Sequence, residues 1–187
     1  VEWDLFGYLK WYIEQDLTDS YSYYKKLLQL LLWRKSKEYL LLKYPAHLVG
    51  VKAILDVFPD ANLVWMHRNP FKTIASALSL FSVFRTIPTK LDDFIELYLV
   101  YFKKSLQTVM EKAKSSARQI KSVSYNKLVK NPLEVTREIY EEFNYPLDKG
   151  DEENISRWLK ENPQHKHGVH KYNLEKFGLS EAYVKNL

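Results

Sequence analysis

The chain of 187 residues contains no cysteine. That excludes a disulfide frame and a thiolate metal site, and it leaves the redox compartment unread. No apolar run is long enough to cross a bilayer; the longest, LLQLLLW at 27–33, falls far short. No secretory leader is visible, and the first residue is Val1, so the natural start is expected upstream. Internal repeats and low-complexity tracts are absent. So is a block of like charge: the net charge is +5 and the pI about 9.1, but the lysines are scattered along helical stretches. Nucleic-acid binding needs a basic stripe that this distribution lacks. A small polyanion suits the charge balance as well as a nucleic acid would. What the chain does have is apolar material, 46% hydrophobic residues, enough for one globular domain over 1–187 with a real core. The compartment is not legible, with the cytoplasm as the default expectation.

The organising stretch is 40–80. YLLLK reads as a short strand ending at Lys43. Tyr44 and Pro45 break it, because proline disfavours the helical region for its predecessor. HLVGVKAILDVF has helical spacing, and NLVWMH reads as a second strand. Asn69 stands as an N-cap with Pro70 at the first helical position, opening a helix through Ser79. Strand, helix and strand make a βαβ unit with a parallel sheet. Ligands of such sheets bind beyond the carboxyl ends of the strands. Those ends carry Lys43 and His47, then His67 and Arg68.

Upstream, 3–15 and 21–35 read as two amphipathic helices rich in aromatic residues. Core burial is the expected role of those rings, and lining an acceptor pocket is the alternative. FSVFRTIPTK reads as a loop or lid, and 91–115 as one long helix. A third strand, IKSVSY, ends at Tyr125. Asn131 and Pro132 open a further helix, DEENISRWLKEN forms another, and QHKHGVHKYNLEKFGLS is a polar loop before a last helix from Ser180. Three strands fall below the five or six of an average sheet, which places at least one more central strand upstream of Val1.

Several residues are equipped for chemistry. Arg68 sits between a strand and a helix N-terminus, where free N–H groups and a guanidinium favour an anion. Ser76 lies two helical turns past Asn69, on the same face. A histidine at the ligand edge, His47, suits general-base work, and Lys43 suits neutralising charge on a transferring group. The bland alternatives are an ion-paired Arg68, a packing Ser76, a capping His47 and a solvated Lys43. Tyr125 suits either a nucleotide base or the core. His165, His167 and His170 lack the carboxylate partner and helical spacing of a metal set; a phosphate loop using Lys166 and the Gly168 backbone fits better.

Four blocks, LLKYPAHL, VFPDANLVWMHRNPFKTIAS, VSYNKLVKNP and HGVHKYNLEKFGLS, resemble the sulfotransferase family, in its bacterial-type branch with an LK-x-P-x-HL segment. The resemblance implies a helix-rich α/β fold, the three-layer P-loop NTPase-like architecture with a parallel sheet. It implies transfer of a sulfuryl group from 3′-phosphoadenosine 5′-phosphosulfate to a hydroxyl or amine acceptor, with no metal. Arg68 and Ser76 match the pair that holds the 3′-phosphate, and Tyr125 the tyrosine near the adenine, in a Tyr-x-x-Leu-x-x-x-Pro block (Tyr125, Leu128, Pro132). His47 matches the proposed base and Lys43 its neighbouring lysine. Lys166, His167 and Gly168 match the loop that closes over the 3′-phosphate, although they depart from the Arg-Lys-Gly form of the cytosolic branch.

The family's 5′-phosphosulfate loop, Gly/Pro-x-x-Arg/Lys-Ser-Gly-Thr-Thr, occurs nowhere in these residues. The expectation is therefore the C-terminal two-thirds of a larger sulfotransferase, incomplete at its N-terminus, or a degenerate relative. The alternative function is a non-catalytic nucleotide-binding or interaction module. A nucleotide kinase fits worse, since no acidic strand end is there to hold magnesium. The partners implied are the nucleotide and an acceptor whose identity the sequence does not give.

Overall fold

The structure, a computed structural model, describes residues 5–35, 38–84, 91–166 and 168–186. The elements run α1 (Leu5–Tyr12), α2 (Thr18–Leu31), α3 (Val51–Val57), β1 (Leu63–His67), α4 (Pro70–Phe84), α5 (Leu91–Ser115), β2 (Ile120–Ser124), α6 (Tyr125–Lys130), α7 (Pro132–Glu142), α8 (Lys149–Glu161) and α9 (Glu181–Lys185). One-turn 3₁₀ helices at Pro45–Leu48 and Glu175–Phe177 precede α3 and α9. The class is helix-rich α/β. β1 and β2 pair in parallel, with Leu63 opposite Ile120 and His67 opposite Ser124.

Among the described residues this pair is the whole sheet. The strand expected at 40–43 is not there: residues 39–44 are irregular, and Leu41 is 95% exposed. A strand exists only through ladder bonds to a neighbour, and this apolar run meets no ladder partner among the described residues. The parallel pair is accordingly β1 with β2, not 40–43 with β1. Tyr125 also shifts role, opening α6 instead of ending a strand.

The local stop and start signals act as the sequence implies. Asn69 Oδ1 accepts from the Lys72 amide at 3.2 Å, and Pro70 begins α4. That helix continues past Ser79 to Phe84, because nothing in SLFSVF breaks it; the remainder of the expected loop, 85–90, lies outside the described residues. α5 spans the expected 91–115. Pro132 opens α7 without a side-chain bond from Asn131.

The chain divides into two compact units, Val1–Ala61 with Thr86–Ala117, and Asn62–Arg85 with Arg118–Leu187. In the first, α2 packs on α3, and α1 and α3 pack on α5. Its core joins Leu17, Val49 and Ala53, with Tyr12, Tyr21 and Tyr101 packed against them. The expected aromatic core is only partly realised, since Tyr8, Trp11, Tyr23 and Trp33 are exposed. In the second unit, β2 packs on α6 and α7, and α7 on α8. Its buried residues include Ile74, Leu78, Val123 and Val135.

Candidate active site

In the first unit, Pro45 ends the irregular segment and starts the 3₁₀ turn that carries His47. A cavity of about 480 Å³ opens over this turn. His47 and Lys43 both line it, with Tyr12, Tyr21, Tyr24 and Tyr44. The alternative role of the N-terminal aromatics, as pocket lining, thus describes three of them. Tyr24 and Tyr44 place their rings 6.2 and 5.6 Å from the His47 ring. Burial lowers the His47 pKa, because a charged imidazole loses hydration there. The ring is therefore neutral near pH 7 and able to take a proton. Tyr21 Oη lies 2.8 Å from His47 Nδ1.

In the second unit, Arg68 leaves the end of β1 and its guanidinium sits over the Tyr125 ring, 4.5 Å from the centroid. Arg68 Nη1 donates to Tyr172 Oη at 3.2 Å. Ser76, on α4, is a hydrogen-bond partner of the same phenol. The Ser76 hydroxyl first, then Arg68, hold the Tyr172 pKa below its ordinary value. Beside it, the His170 ring lies 5.5 Å from Tyr172, and His170 Nε2 lies 3.4 Å from Ser79 Oγ. The cluster gathers a guanidinium and several hydroxyls with no carboxylate among these contacts, a composition suited to a phosphate.

Arg68, Ser76 and Tyr125 are therefore brought together, and Lys43 and His47 share one cavity. Lys166 Nζ donates to Glu161 O at 2.8 Å and Asn162 Oδ1 at 3.3 Å, at the end of α8. Gly168 has φ of 101°, a left-handed conformation that glycine adopts freely. His167 lies outside the described residues. Tyr172 was not singled out from the sequence. The available signal was its position before LEKFGL, whose Leu174, Phe177 and Leu179 are buried and anchor the segment. Among the described residues no group of three or more His, Asp or Glu side chains is arranged to hold a metal ion. No helix among them is long and apolar enough to cross a membrane.

The profile of the Sulfotransferase family matches residues 8–149. The chain belongs to the sulfotransferase family. Two crystal structures of members are similar to it, each at 26% identity over 96% of this chain. They are sulfotransferase STF9 from Mycobacterium avium, with a TM-score of 0.85, and sulfotransferase STF1 from Mycobacterium tuberculosis H37Rv, with a TM-score of 0.80. This sulfotransferase-family chain spans about half of their length, 47% of each. No curated protein sequence matches it.

Proposed function

We propose that the protein of which this chain is part transfers a sulfuryl group from 3′-phosphoadenosine 5′-phosphosulfate to a hydroxyl or amine acceptor. The observation that supports this is the convergence of Arg68 and Ser76 on one hydroxyl beside the Tyr125 ring, in a chain of the sulfotransferase family. Arg68 and Ser76 hold the 3′-phosphate, with Tyr125 toward the base. The acceptor enters the tyrosine-lined cavity. For a hydroxyl acceptor, His47 takes the proton as the oxygen attacks sulfur. The new O–S bond forms while the bond from sulfur to the 5′-phosphate oxygen breaks, and adenosine 3′,5′-bisphosphate leaves with that electron pair. Lys43 offsets charge on the sulfuryl oxygens. Positioning and electrostatics supply most of the acceleration, as in phosphoryl transfer.

Titration calorimetry with adenosine 3′,5′-bisphosphate tests the nucleotide half. Binding is expected in the native chain and in His47→Ala, and at least tenfold weaker binding in Arg68→Ala, which loses charge-assisted contacts. Equal affinity in Arg68→Ala would overturn the assignment. Transfer of labelled sulfate tests the chemistry: His47→Ala should lower turnover by roughly two to four orders of magnitude. A second reading is a nucleotide-binding module without transfer, in which the cluster of Arg68, Ser76 and Tyr172 serves binding alone. Arg68-dependent binding with no turnover on any acceptor would select it.

A further inference from the structure

Tyr21 carries three features that none of these roles uses. Its hydroxyl is 2.8 Å from His47 Nδ1. Its ring lies so close over Gly50 that a Cβ there would stand 2.5 Å from Tyr21 Cε2 and 2.6 Å from Oη. It also lines the same cavity as His47. The glycine is thus what lets the phenol reach the imidazole.

We propose that Tyr21 is the positioning residue of His47: its phenolic oxygen accepts the Nδ1–H bond and leaves the Nε2 lone pair facing the acceptor. This rests on the base role given to His47 above. A neutral imidazole has one N–H and one lone pair. Which nitrogen keeps the proton is set by the bond the other makes. A phenol can accept from Nδ1 while its own O–H rotates into the open cavity, toward water or the acceptor. When Nε2 takes up the acceptor's proton the ring becomes a cation. The Nδ1–H to Oη bond then becomes charge-assisted, so it strengthens as the charge develops. Burial, then the neighbouring tyrosines, push the Tyr21 pKa up, so the phenol stays neutral throughout. The reverse bond, Tyr21 O–H donating to Nδ1, would keep the proton on Nε2 and remove the base from that atom.

The tautomer is directly observable. The chain is labelled with ¹⁵N-histidine, and two-bond nitrogen–proton correlations are recorded at roughly pH 8, above the ordinary imidazole range. The His47 signals are identified by their loss in His47→Ala. The native chain should show His47 protonated on Nδ1. Tyr21→Phe keeps the ring and removes the oxygen, and should move the proton to Nε2, the form free histidine favours. Gly50→Ala displaces the ring and leaves the hydroxyl, and should do the same. Unchanged spectra of the other four histidines report an intact fold. A native His47 protonated on Nε2, or a tautomer unaltered in Tyr21→Phe, would overturn the proposal. In turnover, Tyr21→Phe should lower kcat about tenfold with KM held, the loss of one hydrogen bond to a charged group. If His47→Ala turns over normally, the base role fails while the tautomer result stands. If only His47→Ala is impaired, and Tyr21→Phe changes neither tautomer nor kcat, the positioning role fails alone.

Discussion

At the scale of single residues, Tyr172 is the most informative side chain in the second unit. Its hydroxyl accepts from Arg68 and meets Ser76, so it spans the two residues assigned to one phosphate. Tyr172→Phe removes the oxygen that holds Arg68 and Ser76 together and should weaken adenosine 3′,5′-bisphosphate binding roughly two- to tenfold. Tyr125 makes its contact through the ring face instead. Tyr125→Phe should therefore bind almost as the native chain does. Tyr125→Ala, which removes the cation–π contact, should cost about 0.5–1 kcal/mol or more. Calorimetry on the three variants separates hydroxyl from ring; equal losses for Tyr125→Phe and Tyr125→Ala would contradict the assignment of ring contact. The positions of Arg68 at a strand end and of Ser76 on the capped helix were legible because strand end, cap and helix register are local patterns. Tyr172 was not, because its partners stand 104 and 96 positions away in the chain and no local pattern announces such a pairing.

At the scale of elements, what was legible is what short-range chemistry writes. α5 needed only its apolar spacing, and α4 only Asn69 and Pro70. The start of α8 is set by Asp148, whose side chain accepts from the Asp151 amide at 2.8 Å while Asp151 returns a bond to the Asp148 amide at 3.2 Å. This reciprocal cap satisfies two donors that a helix start otherwise leaves free. Asp148→Ala should destabilise the fold by about 1 kcal/mol, with Asp148→Asn milder, as urea midpoints would read. No loss in Asp148→Ala would mean that tertiary packing alone holds α8. The run at 40–43 shows the opposite case. Its composition suits a buried strand, but strand identity depends on a neighbour, and a short apolar run carries no information about whether one is present. The same segment nevertheless delivers Lys43 and His47 to one cavity, because Pro45 and the turn after it act locally.

At the scale of the whole molecule, the titrating groups predict a stability curve with two shoulders. His47 has a lowered pKa in the fold, so the unfolded chain binds the proton more readily. Its contribution is complete above the unfolded value near 6.5 and is lost as pH falls through the lower folded value. The carboxylates Asp16 and Glu152, also lowered, act only in the acid range below the ordinary carboxyl values. On the alkaline side, Tyr12, Tyr21, Tyr98 and Tyr101 are all raised, chiefly by burial, Tyr98 to about 12. Their contribution is complete below the unfolded value near 10 and is lost as pH rises through the folded values. All four tyrosines and His47 belong to the first unit. Stability should therefore be highest between about pH 6.5 and 10, with the lowered Tyr172 pKa adding a rise toward the upper end, and fall on both sides of that window. His47→Ala should flatten the upper part of the acid shoulder, below the unfolded imidazole value near 6.5, and leave the alkaline one in place. Urea midpoints at about pH 5, 8 and 10.5, with tyrosine ionisation followed by its near-ultraviolet absorbance, measure both shoulders. Midpoints that stay level from about pH 8 to 10.5 would show that these tyrosines ionise as freely in the folded chain as in the unfolded one. The aromatic cavity around His47 would then be more open to water than its packing implies.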